Sequence, residues 1–405
     1  MLCQFTVKNF KSIRDEVTFD MQAAAISEHE DRIIIDKDEE KYLPVSAIYG
    51  PNGGGKSNVL AALHTLVAKV LRPLFATEDS EEKVLLQKKI IVEPFVFSES
   101  KDEPTEFELF FRTTVSEYRY ILHVKRDLVL YESLDRVKLE TGRKSALFTR
   151  DENGIVLKGA FAKLKVSDEL SKTLTLLSYL GIAYKGNAVV KDVLSWFEYG
   201  IEFLNYGNPI QELRMAVSTS EEVKQLMLQM IQEMDLDIVD FRVEEKENER
   251  IDIFTKHCVD DVETEINLFD ESSGTQKLFG LLPFIAESLI TGTVLVIDEL
   301  DAKIHPVLLR HIIMMFNDMT INRHKAQLIF TSHDLSTMNS EVFRRDEIWF
   351  VAKGNVQNSK LYSLVKNEKG ESVRKDAKFD KQYLEGKYGA DPYLRRIIDW
   401  GKVNA

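Results

Sequence analysis

Residues 45–57 read VSAIYGPNGGGKS. A short apolar run ends at Gly50, and the residues from there to Ser57 complete the pattern G-x-x-x-x-G-K-S. Glycines let successive backbone N–H groups close around an anion, and the N-terminus of a following helix adds partial positive charge. The helix is present in the pattern, since NVLAALHTLVAKVL (58–71) carries apolar residues at helical spacing. Strand, Gly-rich loop and helix in this order predict a phosphate-binding α/β core. Its candidate site residues are Asn52, Gly53, Gly54, Gly55, Lys56, Ser57 and Asn58. Lys56 is expected to reach the β- and γ-phosphates, and Ser57 to place its hydroxyl on Mg²⁺.

Two later stretches add acids and a histidine. TVLVIDE (293–299) is an apolar strand that ends in two carboxylates. Beside a phosphate loop, Asp298 is expected in the Mg²⁺ shell and Glu299 as the general base for an attacking water. TSHD (331–334) follows the apolar run QLIF, which puts His333 at the end of a parallel strand, where sites of this fold class gather.

The rest of the pattern divides by period. FTVKNF (5–10) and VTFDMQ (17–22) alternate apolar and polar residues and predict a hairpin. IIVEPFVF, EFELFFR, YRYILHVK and LVLYESL, between 90 and 134, predict an antiparallel meander. From about 166 to 235 the spacing is helical, with Gly181 as the expected C-cap of SKTLTLLSYLG. DIVDFRVEEK and RIDIFTKH return to strands, and a helix is expected from about 305. The continuous apolar runs VLVI and QLIF mark strands covered on both faces, hence a parallel sheet.

The chain has 405 residues, enough for two or three lobes, and its 44% hydrophobic and 29% charged residues suit a globular protein. Cys3 and Cys258 alone exclude a disulfide framework and agree with a cytoplasmic setting. MLCQFTVKNFKSI is too polar for a signal peptide, and no apolar run approaches the roughly 18 residues of a membrane span. A net charge of −13 argues against whole-molecule attraction to nucleic acid. Lys138, Arg143, Lys144 and Arg150 form a local basic stretch, either a solvated hairpin face or a phosphate contact.

One stretch is unexplained by these parts. LFDESSGTQKLFGLL (268–282) puts a polar run at the mouth of a helical pattern, far beyond the phosphate loop. Taken in order, FTVKNFKSI, GPNGGGKS, ESSGTQKL, TVLVIDELD and TSHD resemble the ABC-type ATPases of the SMC, RecF and RecN kind. The resemblance implies bound ATP and Mg²⁺, hydrolysis, and a homodimer or higher homo-oligomer that sandwiches two ATPs head to tail. It implies that the Ser-Gly motif caps the γ-phosphate held by a second subunit. Ser272, Ser273, Gly274, Thr275 and Gln276 match that motif, with Ser273 and Gly274 foremost. Leu300 and Asp301 match the family's dimer-contact loop, and Gln87 stands near the expected position of its metal-linked glutamine.

A long coiled coil is absent from the pattern. The short insert, the IHP at 304–306 and KYGADPYL near the end look more like stand-alone ATPases of abortive-infection and anti-phage systems, including the ATPase halves of OLD-like pairs. Such ATPases imply a separately encoded nuclease or toxin as partner, and no membrane. DNA is a further implied partner, through a RecF-like clamp; an ATP-dependent scaffold with little turnover is a third reading. The expected architecture is a P-loop head with a mixed or parallel sheet core, an antiparallel β subdomain and a compact helical insert. The expected division is core (1–90), β subdomain (91–165), helical insert (166–235), core (236–360) and tail (361–405).

Overall fold

The computed structural model describes residues 1–75, 90–167, 170–204, 221–234, 237–246, 250–354, 356–365, 370 and 372–390. A six-stranded sheet lies at its centre. With strands numbered along the chain, its spatial order is β11 (Ile201–Leu204), β15 (Val294–Ile297), β16 (Gln327–Thr331), β5 (Val45–Tyr49), β17 (Ile348–Lys353) and β18 (Ser359–Ser363). The first five are parallel, and β18 closes the edge antiparallel to β17.

The apolar runs of these strands are explained by cover on both faces. Val45, Ala47, Tyr49, Leu295, Ile297, Leu328 and Phe330 share one core with helices α4 (Glu221–Glu233), α5 (Ser273–Thr291) and α6 (Pro306–Asn317). The alternate residues Ile48, Val294, Val296 and Ile329 face α1 (Lys56–Phe75), α2 (Leu176–Ala183) and α3 (Ala188–Tyr199). The strand period of two thus splits the interior into one cluster per face. A short α7 (Phe379–Leu384) brings Tyr383 onto the Phe350 ring, with centroids 5.5 Å apart.

Helix α1 corrects one expectation. It is 20 residues long with a mean hydropathy of 1.2, enough in length and composition to cross a membrane. Here Val59, Leu63, Leu66 and Val70 are buried in the second cluster, which makes α1 the core helix behind the phosphate loop.

The second large sheet runs β10 (Gly154–Leu157), β9 (Lys144–Asp151), β8 (Leu128–Lys138), β7 (Ser116–Lys125), β6 (Thr105–Arg112), β1 (Leu2–Lys8) and β2 (Val17–Asp20). The meander and the N-terminal hairpin are both present, joined in one sheet with Val7 opposite Val17 on one side and Phe107 on the other. The hairpin, expected within the core at 1–90, therefore belongs to the antiparallel sheet. Phe5 and Val7 are buried in the second core cluster, while Cys3 packs in a small cluster with Ile34 and Tyr42.

Other elements also cross the expected divisions. β11 lies in the helical stretch 166–235 yet forms an edge of the parallel sheet, and β18 spans position 360. A separate three-stranded sheet, β12 (Ile238–Lys246), β13 (Arg250–Val259) and β14 (Val262–Asn267), precedes α5, and β3 (Ile34–Ile35) pairs with β4 (Lys41–Tyr42).

IIVEPFVF (90–97), expected as a strand, forms none. Pro94 has no N–H to offer a ladder. Val92 N–H donates to Arg126 O and Phe95 N–H to Asn9 Oδ1, so the segment is held by loops. Gly181 lies inside α2, whose C-cap is Tyr184. A Cβ on Gly181 would meet Leu194 Cδ1 at 2.5 Å and Leu74 Cδ2 at 2.8 Å, so this glycine serves close helix packing. Arg150 leaves the basic stretch, because it is buried and donates to Leu174 O (2.7 Å) and Ser171 O (3.1 Å). Lys138, Arg143 and Lys144 are exposed around the β8–β9 turn.

Candidate active site

The phosphate loop follows the C-terminal end of β5 and runs directly into α1. Its shape depends on glycine at two points. Gly50 has φ +150°, and a Cβ there would lie 2.3 Å from Val351 O; Gly55 has φ +108°, and a Cβ there would lie 2.2 Å from Ser359 Oγ. No side chain fits either place. Lys56 is buried, and its Nζ donates to Gly50 O (2.9 Å) and Pro51 O (3.4 Å), spanning the loop from below. Burial pushes its ammonium below the usual lysine range, while Asp298, Glu299 and Asp301 pull it back up.

Two serines from distant elements brace this loop. Ser359 Oγ, from β18, donates to Gly54 O at 2.6 Å and lies 2.7 Å from Ser12 Oγ. Asn58 Nδ2 donates to Ser12 Oγ at 2.6 Å, so the Asn58 amide ties the loop to the turn after β1. Asn52, Gly53 and Ser57 are exposed at the mouth, and Gly54 is buried beneath it.

Asp298 and Glu299 follow β15, two strands from β5, with β16 between. Thr331, the last residue of β16, organises both. Its hydroxyl donates to Asp298 Oδ1 at 2.5 Å and accepts the Glu299 N–H at 2.8 Å. Glu299 has φ +53°, a left-handed backbone unusual for a residue with a side chain, and its carboxylate-bearing side chain is exposed. His333 is exposed just beyond β16, and its N–H donates to Asp301 Oδ2 at 3.2 Å. Lys56, Asp298, Glu299 and His333 therefore all follow the C-terminal ends of the neighbouring parallel strands β5, β15 and β16, the usual place for a site in an open α/β fold.

The Ser-Gly motif opens α5. Ser272 is the N-cap, with its Oγ accepting the Thr275 N–H (3.1 Å) and lying 2.8 Å from Thr275 Oγ1. Its hydroxyl is thereby committed within the chain, as is that of Thr275. Ser273 is exposed on the first turn. Gln276, expected at the nucleotide, instead turns its amide back, donating to Phe269 O (3.0 Å) and Glu271 O (2.9 Å). Backbone carbonyls of the loop ahead of the helix take these amide protons as their hydrogen-bond partners. Among the described residues, no hydrogen bond joins 272–276 to 50–58.

One turn below Ser273, Lys277 is buried, with its Nζ donating to Leu300 O (2.8 Å), Glu299 O (3.2 Å) and Ala302 O. Burial pushes this ammonium down to about 7, and Asp301 and Glu299 oppose the shift.

The oxygen donors suit Mg²⁺. Ser57 and Asp298 line one cavity of about 290 Å³, together with Lys11, Asn58 and His64. A hydroxyl and a single carboxylate are a typical protein contribution to Mg²⁺, with phosphate oxygens and waters completing the shell. Gln87 lies outside the described residues.

The reading of local motifs missed Ser12, Thr331, Ser359 and Lys277 as parts of this site. Ser12, Thr331 and Lys277 stood inside quoted motifs, but their partners are set only by the fold.

None of the curated proteins matches the chain in sequence. Among solved structures, the chain is similar to an SMC head bound to the C-winged helix domain of ScpA, at 13% identity over 90% of this chain and 98% of that one, with a TM-score of 0.49. The SMC head domain from Thermotoga maritima is 16% identical over 89% and 98%, with a TM-score of 0.43. The Smc head with an extended coiled coil derived from Pyrococcus furiosus, bound to the C-terminal domain of ScpA, is 12% identical over 90% and 96%, with a TM-score of 0.46. The family described as "AAA domain, putative AbiEii toxin, Type IV TA system" matches residues 45–339, from the strand that enters the phosphate loop to the turns beyond His333, and the chain belongs to that family.

Proposed function

We propose that this chain is an ATP-hydrolysing switch whose ATP-bound form is a head-to-tail dimer, and which controls a separately encoded effector in anti-phage defence. The observation that carries the ATPase reading is Thr331, whose one hydroxyl holds both Asp298 and the backbone of Glu299 at the strand ends beside Lys56. Binding of the triphosphate falls to the loop N–H groups and Lys56. Mg²⁺ held by Ser57 and Asp298 would neutralise charge on the β- and γ-phosphates. The exposed Glu299 carboxylate takes the proton from the attacking water, and His333 stands on the same edge to contact the γ-phosphate. The exposed Ser273 at the N-terminus of α5 is free to cap a γ-phosphate presented by a second subunit.

The defence role rests on the family description, which names AbiEii, and on the abortive-infection resemblance of the motifs. The net charge of −13 favours a protein effector over a direct DNA clamp.

The test is phosphate release by the purified chain in ATP and Mg²⁺. Specific activity should rise with chain concentration, as a dimeric site requires, and should stop when the metal is chelated. Absence of both ATP binding and phosphate release over a wide concentration range would refute the reading. Thr331→Val keeps the shape of the side chain and removes both hydrogen bonds. It should cost roughly 10–100-fold in turnover, the usual penalty for losing a group that orients a metal ligand. Turnover equal to the unchanged chain would remove Thr331 from this role.

A further inference from the structure

The turn after β15 is held in a conformation its own residues do not favour. Glu299 (φ +53°) and Lys303 (φ +62°) both occupy the left-handed region, and neither is glycine. Such backbone persists only where its surroundings over-determine it. From one side, Thr331 Oγ1 accepts the Glu299 N–H. From the other side, Lys277 Nζ donates to the carbonyls of Glu299, Leu300 and Ala302. Three carbonyls of one turn thus accept from a single side-chain ammonium. The peptide before the Glu299 Cα is held by the Thr331 hydroxyl, and the peptide after it by both sides, with Leu300 N–H donating to Thr331 O (3.2 Å) and Lys277 Nζ donating to Glu299 O.

Lys277 also lies four residues after Ser273, on the same face of the helix. The same first turn also passes close to this loop, since a Cβ added at Gly274 would lie 3.2 Å from Lys303 O. The motif that opens α5 and the turn that carries Glu299 and Asp301 are packed as one unit.

We propose that Lys277 is a positioning residue that makes the Ser273 turn and the Glu299 turn move together, and so couples the two ATP sites of the dimer. The inference rests on the head-to-tail reading above. In that arrangement Ser273 meets the ATP held by the partner, while Glu299 of the same chain faces its own ATP. A displacement of Ser273 at one site is passed through Lys277 to the base at the other. Lys277 touches neither nucleotide and does not act on the reacting atoms.

The experiment is Lys277→Met in the full chain, with ATP-binding stoichiometry, turnover and the Hill coefficient for ATP measured beside the unchanged protein. Methionine fills a similar volume and donates nothing. Stoichiometry and affinity for ATP should stay within about twofold, since Lys56 and the loop are untouched, while kcat falls roughly 10–100-fold, on the scale of lost supporting contacts. The Hill coefficient should fall towards one. A purely structural loss would lower binding stoichiometry and kcat together and leave the Hill coefficient unchanged, and that result overturns the proposal. Unchanged kcat and cooperativity also overturn it. If Lys277→Met melts below the assay temperature, Lys277→Gln takes its place, being polar but too short to reach three carbonyls, and the same outcomes decide. An unchanged protein that neither binds nor hydrolyses ATP refutes the ATPase reading and this inference with it. One that hydrolyses ATP with a Hill coefficient of one refutes the coupling alone.

Discussion

Glu299→Gln should bind ATP as the unchanged chain does and hydrolyse it about 10²–10⁴-fold more slowly, the range for removing a general base. The amide has nearly the shape of the carboxylate and can occupy the same exposed place. It cannot take a proton from water. The backbone of residue 299 is held through its N–H by Thr331 and through its carbonyl by Lys277, and neither bond involves the side chain. The substitution should therefore leave the turn intact, which separates loss of chemistry from loss of structure. With hydrolysis blocked, the dimer should accumulate in ATP and dissolve on exchange into ADP. Light scattering of the variant in the two nucleotides, together with phosphate release, tests both parts. Turnover close to that of the unchanged chain would take Glu299 out of the role.

Two inactive chains should restore activity to each other. Lys56→Ala removes the cation facing the β- and γ-phosphates and also leaves the carbonyls of Gly50 and Pro51 without their donor, so its own loop should lose ATP in calorimetry. Ser273→Arg leaves that loop unchanged and places a bulky side chain on the exposed first turn of α5. Alone, it should bind ATP and hydrolyse it poorly, because both composite sites lack a working cap. In a mixed dimer one site combines an intact Lys56 with an intact Ser273, and the other carries both defects. Activity per mixed dimer should reach about half that of the unchanged protein if the sites are independent, and less if they are coupled. The shortfall below half is then a second measure of the coupling assigned to Lys277. No recovery at any ratio with mixed dimers shown to form, together with a cross-link from the Ser-Gly motif to the phosphate loop of its own chain, would place the motif at its own chain's nucleotide.

The ABC-type and abortive-infection resemblance read from the motifs held at the level of the family, which matches residues 45–339. It held because the phosphate loop and the Asp-Glu pair are local: each is a strand end with its chemistry in the next few residues. The expected hairpin at the N-terminus also formed, and it joins the seven-stranded antiparallel sheet although residues 1–90 were expected as core. Alternation in residues 5–10 and 17–22 says that one face is buried, not which sheet supplies the neighbour, and β1 found β6 about a hundred residues on. Gly181 read as a cap because glycine ends many helices. Only the positions of Leu194 and Leu74 reveal that it is there for want of space.

What the sequence by itself determined is the local setting of groups that lie within a few residues of a strand end or helix start: the glycines of the loop, Lys56, Ser57, Asp298, Glu299, and the helix that begins at the Ser-Gly motif. Their backbone context is written in adjacent residues, so pattern and spacing suffice. The tertiary structure decided which groups hold these in place. Ser12 meets Ser359 across 347 positions, Thr331 meets Asp298 across 33, and Lys277 meets Leu300 across 23. It also gave two neighbouring exposed serines different surroundings, with the Ser272 hydroxyl capping the helix through Thr275. A hydroxyl or an ammonium has no partner of its own in sequence; strand order and helix packing choose one, and that choice is a long-range property of the folded chain.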